Sequence, residues 1–230
     1  MKEDSLGDRM KGLENVLRTK ISKDQPTIIR IDGKSFSNYT RPFEKPFDDR
    51  LYRAFVECAQ FLLEQIQAAD VVYTQSDELS ILLNFNLQEN SQTWFDGNLQ
   101  KLTSVSASMM TYKFNNVIVG NDAPAYFDAR AFALPRNEVS NYFIWRYLDA
   151  VRNSVQGYAR SILGHKKCLD ISNQALLQIL RDQNEPWEKL PEWCRYGTFV
   201  YPNGEILHAN DLDSIRKIID DTTMIKEVVS

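Results

Sequence analysis

The chain has 230 residues, with 27 basic and 31 acidic side chains, a net charge of −4, 43% hydrophobic and 11% aromatic residues. That balance excludes an intrinsically disordered chain and leaves room for one large domain or a core with a helical appendage. It carries no global polycationic signature, although a basic patch on an acidic body stays compatible with nucleic acid. Three cysteines (Cys58, Cys168, Cys194) without a C-x-x-C, and only two histidines, argue against a zinc site. The odd cysteine count and the charged N-terminus lead to the expectation of a reducing, cytoplasmic setting. No window approaches the ~18 apolar residues of a membrane span.

Taken in chain order, residues 5–17 predict a short amphipathic helix. "TIIRI" (27–31) predicts a buried strand that ends at Asp32-Gly33. Residues 48–69 repeat Leu51, Phe55, Cys58, Ala59, Leu62 and Ile66 at helical spacing, with Asp48 as the N-cap. "DVVYTQ" (70–75) and "LSILLNF" (79–85) predict two strands around a Ser76-Asp77-Glu78 turn. Residues 98–116 predict a helix with Leu99, Leu102, Val105, Met109 and Tyr112 on one face. "AYFDARAFAL" (125–134) predicts a further strand. Residues 137–164 predict one long helix, apolar along Phe143, Ile144, Tyr147, Leu148, Val151, Val155, Tyr158 and Ile162, with Arg146, Arg152 and Arg160 on its other face. A helix over 172–184, a hairpin over 197–208 and a surface helix over 211–221 complete the chain.

This order predicts an α+β fold: a ferredoxin-like βαββαβ unit, an antiparallel sheet with helices on one face, plus a C-terminal, mainly helical extension. The expected division is a catalytic core at 1–136 and an extension at 137–230, packed as one continuous unit. In that topology the first strand lies beside the third. Asp32, at a strand end, then meets Asp77 and Glu78, in the hairpin.

Gathered carboxylates repel unless a cation joins them, and Mg²⁺ takes one or two carboxylates plus phosphates. Asp32 and Asp77 are the expected metal ligands, with the Gly33 carbonyl, and Glu78 as a supporting catalytic acid. The loop Gly33, Lys34, Ser35, Phe36, Ser37 offers backbone N–H groups, a cation and hydroxyls suited to a triphosphate, with Ser76 close by. Asp-Gly and Ser-Asp-Glu, each alone, read equally as ordinary turns or caps. Their placement at adjacent ends of one sheet favours function. Tyr142, Trp145 and Tyr147 read as packing, and Arg152 to Lys167 as either a solvated face or an RNA track.

At these residues the chain resembles the tRNA-histidine guanylyltransferases and their 3′–5′ polymerase relatives. The shared stretches are "DSLGDRMKGLE" (4–14), "RIDGKSFSNYT" (30–40), "YTQSDELS" (73–80), "KLTSVSASMMTYKFN" (101–115), "FDAR" (127–130), "NYFIWRYLDAVRNS" (141–154) and "RYGTFVY" (195–201). The resemblance implies a polymerase-like palm and two Mg²⁺ ions held by Asp32, Gly33 and Asp77. It implies ATP, GTP and other nucleoside triphosphates as substrates, bound by Asp32 to Ser37 with Ser76 and Asp77, and tRNA and a homotetramer as partners. Lys101, Arg130, Arg152, Asn153, Lys166 and Lys167 are the candidate contacts to RNA or a second nucleotide. Enzymes that add guanosine to histidine tRNA carry a His- and Asn-rich motif on the long helix. Here Val151 stands at the histidine's place and only Asn153 is kept. This is similar to the bacterial and archaeal branch, which implies templated repair of tRNA 5′ ends, with guanosine addition as the alternative. A nucleotidyl cyclase would use a similar sheet but leave the extension without a role. A nonenzymatic RNA-binding module would need exposed aromatics on the central strands, where only Phe85 is available.

Overall fold

The structure, a computed structural model, describes residues 5–85 and 92–229. A ten-residue helix α1 (Leu6–Asn15) opens it, capped by the Ser5 side chain accepting from the Asp8 N–H. Strand β1 (Thr27–Gly33) is followed by a single turn of helix α2 (Phe36–Tyr39) and by α3 (Asp49–Gln65). Strands β2 (Ala69–Gln75) and β3 (Glu78–Leu83) form the hairpin. Helix α4 (Leu99–Val117) and strand β4 (Phe127–Ala133) close the βαββαβ unit. The extension contributes α5 (Val139–Leu163), α6 (Asn173–Asp182), α7 (Glu192–Tyr196), β5 (Thr198–Val200), β6 (Ile206–Leu207) and α8 (Leu212–Val229).

The strands form one antiparallel sheet in the order β4-β1-β3-β2-β5-β6. The expected βαββαβ order is present in its first four strands. The unit's own helices α3 and α4 lie on one face as expected, and the extension covers the other. Ile29, Ile31, Val72 and Ile81 pack beneath α3 and α4, whereas Ile28, Val71, Tyr73 and Leu82 pack against Phe143 and Tyr147 of α5 and Ile215 and Ile219 of α8. Both faces of strands this apolar must be covered. The last helix is therefore a core element and not a surface one, and the 197–208 hairpin lengthens the sheet beyond β2.

Two helices turn a different face inward from the one their periodicity predicts. In α4 the buried stripe is Leu102, Ser106, Met110 and Phe114, while Tyr112 is exposed. Ser106 is tolerated there because its hydroxyl donates to the Leu102 carbonyl at 2.6 Å. In α5, Arg146 is buried and Leu148 exposed, because the sheet end that Arg146 faces carries a carboxylate.

Asp48 caps α3 as expected. Its carboxylate, 5% exposed, accepts from the Glu44 and Arg50 N–H groups and from the Arg50 guanidinium. The Arg50 hydrogen bond leads in holding its pKa down to about 2, below an ordinary value near 3.9. A depressed carboxylate contributes stability above its unfolded pKa and loses it as pH falls towards its folded one. Asp48→Ala is expected to cost about 1–2 kcal/mol at neutral pH. The gap between variant and wild type should close as pH falls from about 4 to about 2, measured by urea unfolding across that range.

Candidate active site

Strand parity organises the site. On the α5 face of the sheet, the ladder row Asp128–Asp32–Glu78–Gln75 crosses β4, β1, β3 and β2. The next row inward is Arg130–Arg30–Ser80–Tyr73. Each row sets like charges opposite each other on β1 and β4, which sheets normally avoid. The β2–β3 turn hangs at the same end. Gly33 N–H donates to the Asp77 carbonyl at 3.1 Å, tying the end of β1 to the turn. The topology thus brings Asp32, Asp77 and Glu78 together across 45 residues of sequence, as expected.

The three carboxylates are not equivalent. Burial raises the pKa of Asp77, and the Asp32 charge raises it further. Burial and Asp128 raise Asp32, against the pull of Arg130 and Arg30. Neither forms an ion pair within 4 Å among the described residues. Glu78 is also raised by burial, but its Oε1 lies 3.0 Å from Arg146 Nε, which opposes the shift. Asp77 and Asp32 thus remain the two acids without an ion-pair partner among the described residues. Ser76 holds a left-handed φ of +53° and donates its hydroxyl to Asp77 Oδ1 at 3.0 Å, fixing the carboxylate's direction.

Two carboxylates and a main-chain carbonyl fit Mg²⁺, which commonly completes its shell with water and substrate phosphate. Among the described residues, no three His, Cys, Asp or Glu side chains gather into an all-protein cage.

The loop after Asp32 differs in detail from expectation. The Gly33 N–H is spent on Asp77, and the Lys34 N–H donates to the Tyr126 carbonyl at 2.8 Å. The N–H groups of Phe36 and Ser37, at the start of α2, have no intrahelical partner. The Phe36 side chain is buried, with ring centroids 5.0–5.7 Å from Tyr39, Phe55, Phe114 and Phe127, so only its backbone can reach a ligand. Ser35 takes φ +52° to start the turn. Gly33 is required by that packing, since a Cβ there would fall 2.4 Å from the Phe36 ring. Gly33→Ala is expected to cost about 1–3 kcal/mol by overpacking. Thermal unfolding measures it, and the loop displacement should lower nucleotide affinity as well.

Asp77 and Ser76 stand in the wall of a cleft of about 390 Å³. Ser37, Thr40 and Lys45 line it from the α2–α3 side, Gln75 from the sheet, and Ala150, Asn153, Ser154 and Gly157 from α5. Tyr52 of α3 and Trp193, stacked at 4.5 Å, form part of its rim. Most of these residues were not singled out from sequence. A usable signal was the small-residue spacing Ala150, Ser154, Gly157, which lets a cleft run along one helix. Asp128 was also missed, although "DAR" mirrors "RID" in a neighbouring antiparallel strand.

The candidate RNA contacts do not form one surface. Lys101 lies on α4, on the opposite face of the sheet from α5, with its ammonium 5.6 Å from the Phe95 ring. Arg130 is exposed on β4, 3.6 Å from Asp128. Arg152 is exposed and paired with Asp149, Asn153 lines the cleft, and Lys166 and Lys167 are exposed in a 3₁₀ turn after α5. Tyr142 and Tyr147 are buried as expected, whereas Trp145 is 53% exposed. No described helix is long and apolar enough to cross a membrane.

Comparison with known proteins gives the family. The family model described as Thg1, tRNAHis guanylyltransferase, matches residues 7–135. The fold is similar to a bacterial tRNA(His) guanylyltransferase (Thg1)-like protein solved in complex with ATP. The TM-score is 0.90 and the identity 39%, over 95% of this chain and 99% of that one. A bacterial Thg1-like protein in complex with GTP matches at TM-score 0.82 and 38% identity, over 96% and 99% of the two chains. The tRNA(His) guanylyltransferase of Saccharomyces cerevisiae is 25% identical over 216 residues, 84% of this chain and 89% of that protein. The chain belongs to the Thg1 family of tRNAHis guanylyltransferases and is, by that membership, a nucleotidyltransferase.

Proposed function

We propose that the protein adds nucleotides in the 3′–5′ direction to the 5′ end of tRNA, copying the opposing strand, and so repairs truncated 5′ ends. The observation that carries this reading is the Asp32–Asp77 pair, without an ion-pair partner among the described residues, with Asp77 in the wall of a cleft of about 390 Å³, in a chain similar to proteins solved with ATP and with GTP. Addition of guanosine to histidine tRNA is the second reading, favoured by the family description and by the yeast relative. Val151 in place of the histidine of that motif favours repair.

In the proposed sequence of steps, a 5′-phosphate oxygen of tRNA attacks the α-phosphorus of ATP. Pyrophosphate leaves, and the 5′ end becomes adenylylated. The 3′-hydroxyl of an incoming nucleoside triphosphate then attacks the tRNA 5′-phosphorus, and AMP leaves. Each displacement concentrates negative charge on phosphoryl oxygens. Asp32, Asp77 and the Gly33 carbonyl would hold Mg²⁺, which supplies charge neutralisation and lowers the pKa of an attacking hydroxyl. Lys34, Ser35, Ser37 and Ser76, with the backbone of Phe36, would hold the triphosphate and keep its α-phosphorus in line. Arg152, Lys166 and Lys167 are the proposed tRNA contacts. Residues 1–136 and 137–230 would act as one palm-like unit in the cytoplasm. Assembly into a homotetramer is part of the proposal, and light scattering tests it.

The deciding experiment supplies Mg²⁺, ATP and all four nucleoside triphosphates to a tRNA lacking its first 5′ nucleotide, with intact histidine tRNA alongside. Growth of the shortened end that follows the opposing strand is the expected result. Guanosine added only to histidine tRNA would replace it with the second reading. A cyclic nucleotide formed without tRNA, or no nucleotide consumed, would overturn both.

A further inference from the structure

The long helix's periodicity places Arg146 on the outer face, yet it is buried, and its surroundings give the reason. The residue is 5% exposed, and a buried guanidinium is costly unless paired. Two carboxylates flank it. Glu78 Oε1 lies 3.0 Å from Nε, and Asp149, one turn along α5, accepts from its terminal nitrogen. The Trp145 ring covers it at 4.2 Å and also carries Arg30, at 5.6 Å. Tyr142, one turn earlier on α5, bonds to Ser80 of β3 at 2.8 Å, a second tie between the helix and the hairpin.

Glu78 follows Asp77 directly and lies opposite Asp32 in the ladder. Its side chain is only 12% exposed; strand parity already sets it on the α5 face beside Asp32, and the Arg146 contact fixes where its carboxylate points there. Without that hold, a buried third carboxylate would stand beside Asp32 and Asp77 with Arg30 as its remaining nearby cation.

We propose that Arg146 is a positioning residue. It holds the Glu78 carboxylate against α5, so that Asp32 and Asp77 alone serve as the cation-binding pair, with Asp77 in the cleft wall. This rests on the reading of Asp32 and Asp77 as metal ligands. The same helix, one to three turns further on, forms the cleft wall through Ala150, Asn153, Ser154 and Gly157. The Arg146–Glu78 contact therefore sets the wall and the acid pair in one fixed relation.

The role separates from a merely structural one through metal binding. Removing the guanidinium deletes a positive charge near the site and frees Glu78. Arg146→Met should bind divalent metal more tightly while catalysing worse. A general loss of structure would weaken both. In the full-length protein without nucleotide, Mn²⁺ titrated by electron paramagnetic resonance should bind Arg146→Met roughly 3- to 10-fold more tightly than wild type. The kcat for nucleotide addition should fall roughly 10- to 100-fold, with KM for the triphosphate little changed. Arg146→Lys should lie between the two. Adding Glu78→Gln to Arg146→Met should return Mn²⁺ affinity to the wild-type value and recover part of the thermal stability. Arg181→Met, an exposed guanidinium on α6 paired with Glu188, should leave all these readouts unchanged.

Unchanged or weaker Mn²⁺ binding in Arg146→Met, or a double variant no better than the single one, would overturn the inference. Failure of the metal reading looks different: Asp32→Asn and Asp77→Asn would then leave Mn²⁺ affinity at the wild-type value.

Discussion

Asp77→Asn is expected to lower nucleotide addition by roughly 10²- to 10³-fold, the scale on which one pre-organised electrostatic contact acts in catalysis. Asp32→Asn should do the same. The stability of the Asp77 variant should move the other way. Asp77 is buried and repelled by Asp32, so an uncharged isostere removes a penalty the wild-type fold carries. In EDTA, the Tm of Asp77→Asn should equal or exceed that of wild type. In Mg²⁺ the wild type should gain stability by binding and the variant should not. A variant that loses both activity and Tm in EDTA would show Asp77 to be a structural residue. The expected opposition between activity and stability is common where like charges are held together for function.

Phe36→Ala is the second large effect. The ring is 6% exposed and touches Tyr39, Phe55, Phe114 and Phe127, which belong to α2, α3, α4 and β4. Its removal should cost about 3–5 kcal/mol, or a fall in Tm of about 6–20 °C at ~2–4 °C per kcal/mol for a chain of this size. The consequence reaches function because Phe36 sits in the loop that continues from Asp32. With the ring gone, Ser35 and Ser37 lose the anchor that sets their backbone, and KM for the triphosphate should rise even where the fold survives. Phe36→Leu, which keeps most of the apolar volume, should recover most of the Tm. Calorimetry with steady-state kinetics checks both.

The extension makes the effect of a substitution on the α5 face harder to foresee from sequence than one beneath α3 and α4. Strand β1 shows why. Ile29 and Ile31 point to one face and Ile28, Arg30 and Asp32 to the other, an alternation visible in "TIIRID". What Arg30 and Asp32 would meet on their own face was not visible, because their partners come from β4 and α5, about 100 residues away.

Local pattern therefore determined the elements of the core and the candidate acids. The apolar runs of β1, β2 and β3, the heptad-like spacing of α3 and the Asp48 cap are short-range properties, and the structure keeps them within a few residues. The βαββαβ order then constrains topology, and topology alone carries Asp32 to Asp77. The tertiary structure decided what periodicity cannot express. Helices α4 and α5 each bury a face rotated from the most apolar one. Ser106 can satisfy its hydroxyl within its own turn, and Arg146 finds Glu78. The final helix is core because the second face of the sheet needs cover. The Gly33 and Lys34 N–H groups are spent on neighbours that only the folded chain supplies. Asp128 joins the acid row through strand pairing alone. In each case the deciding energy is that of a buried polar group or an uncovered apolar face. Its partner is distant in sequence, so no local window contains it.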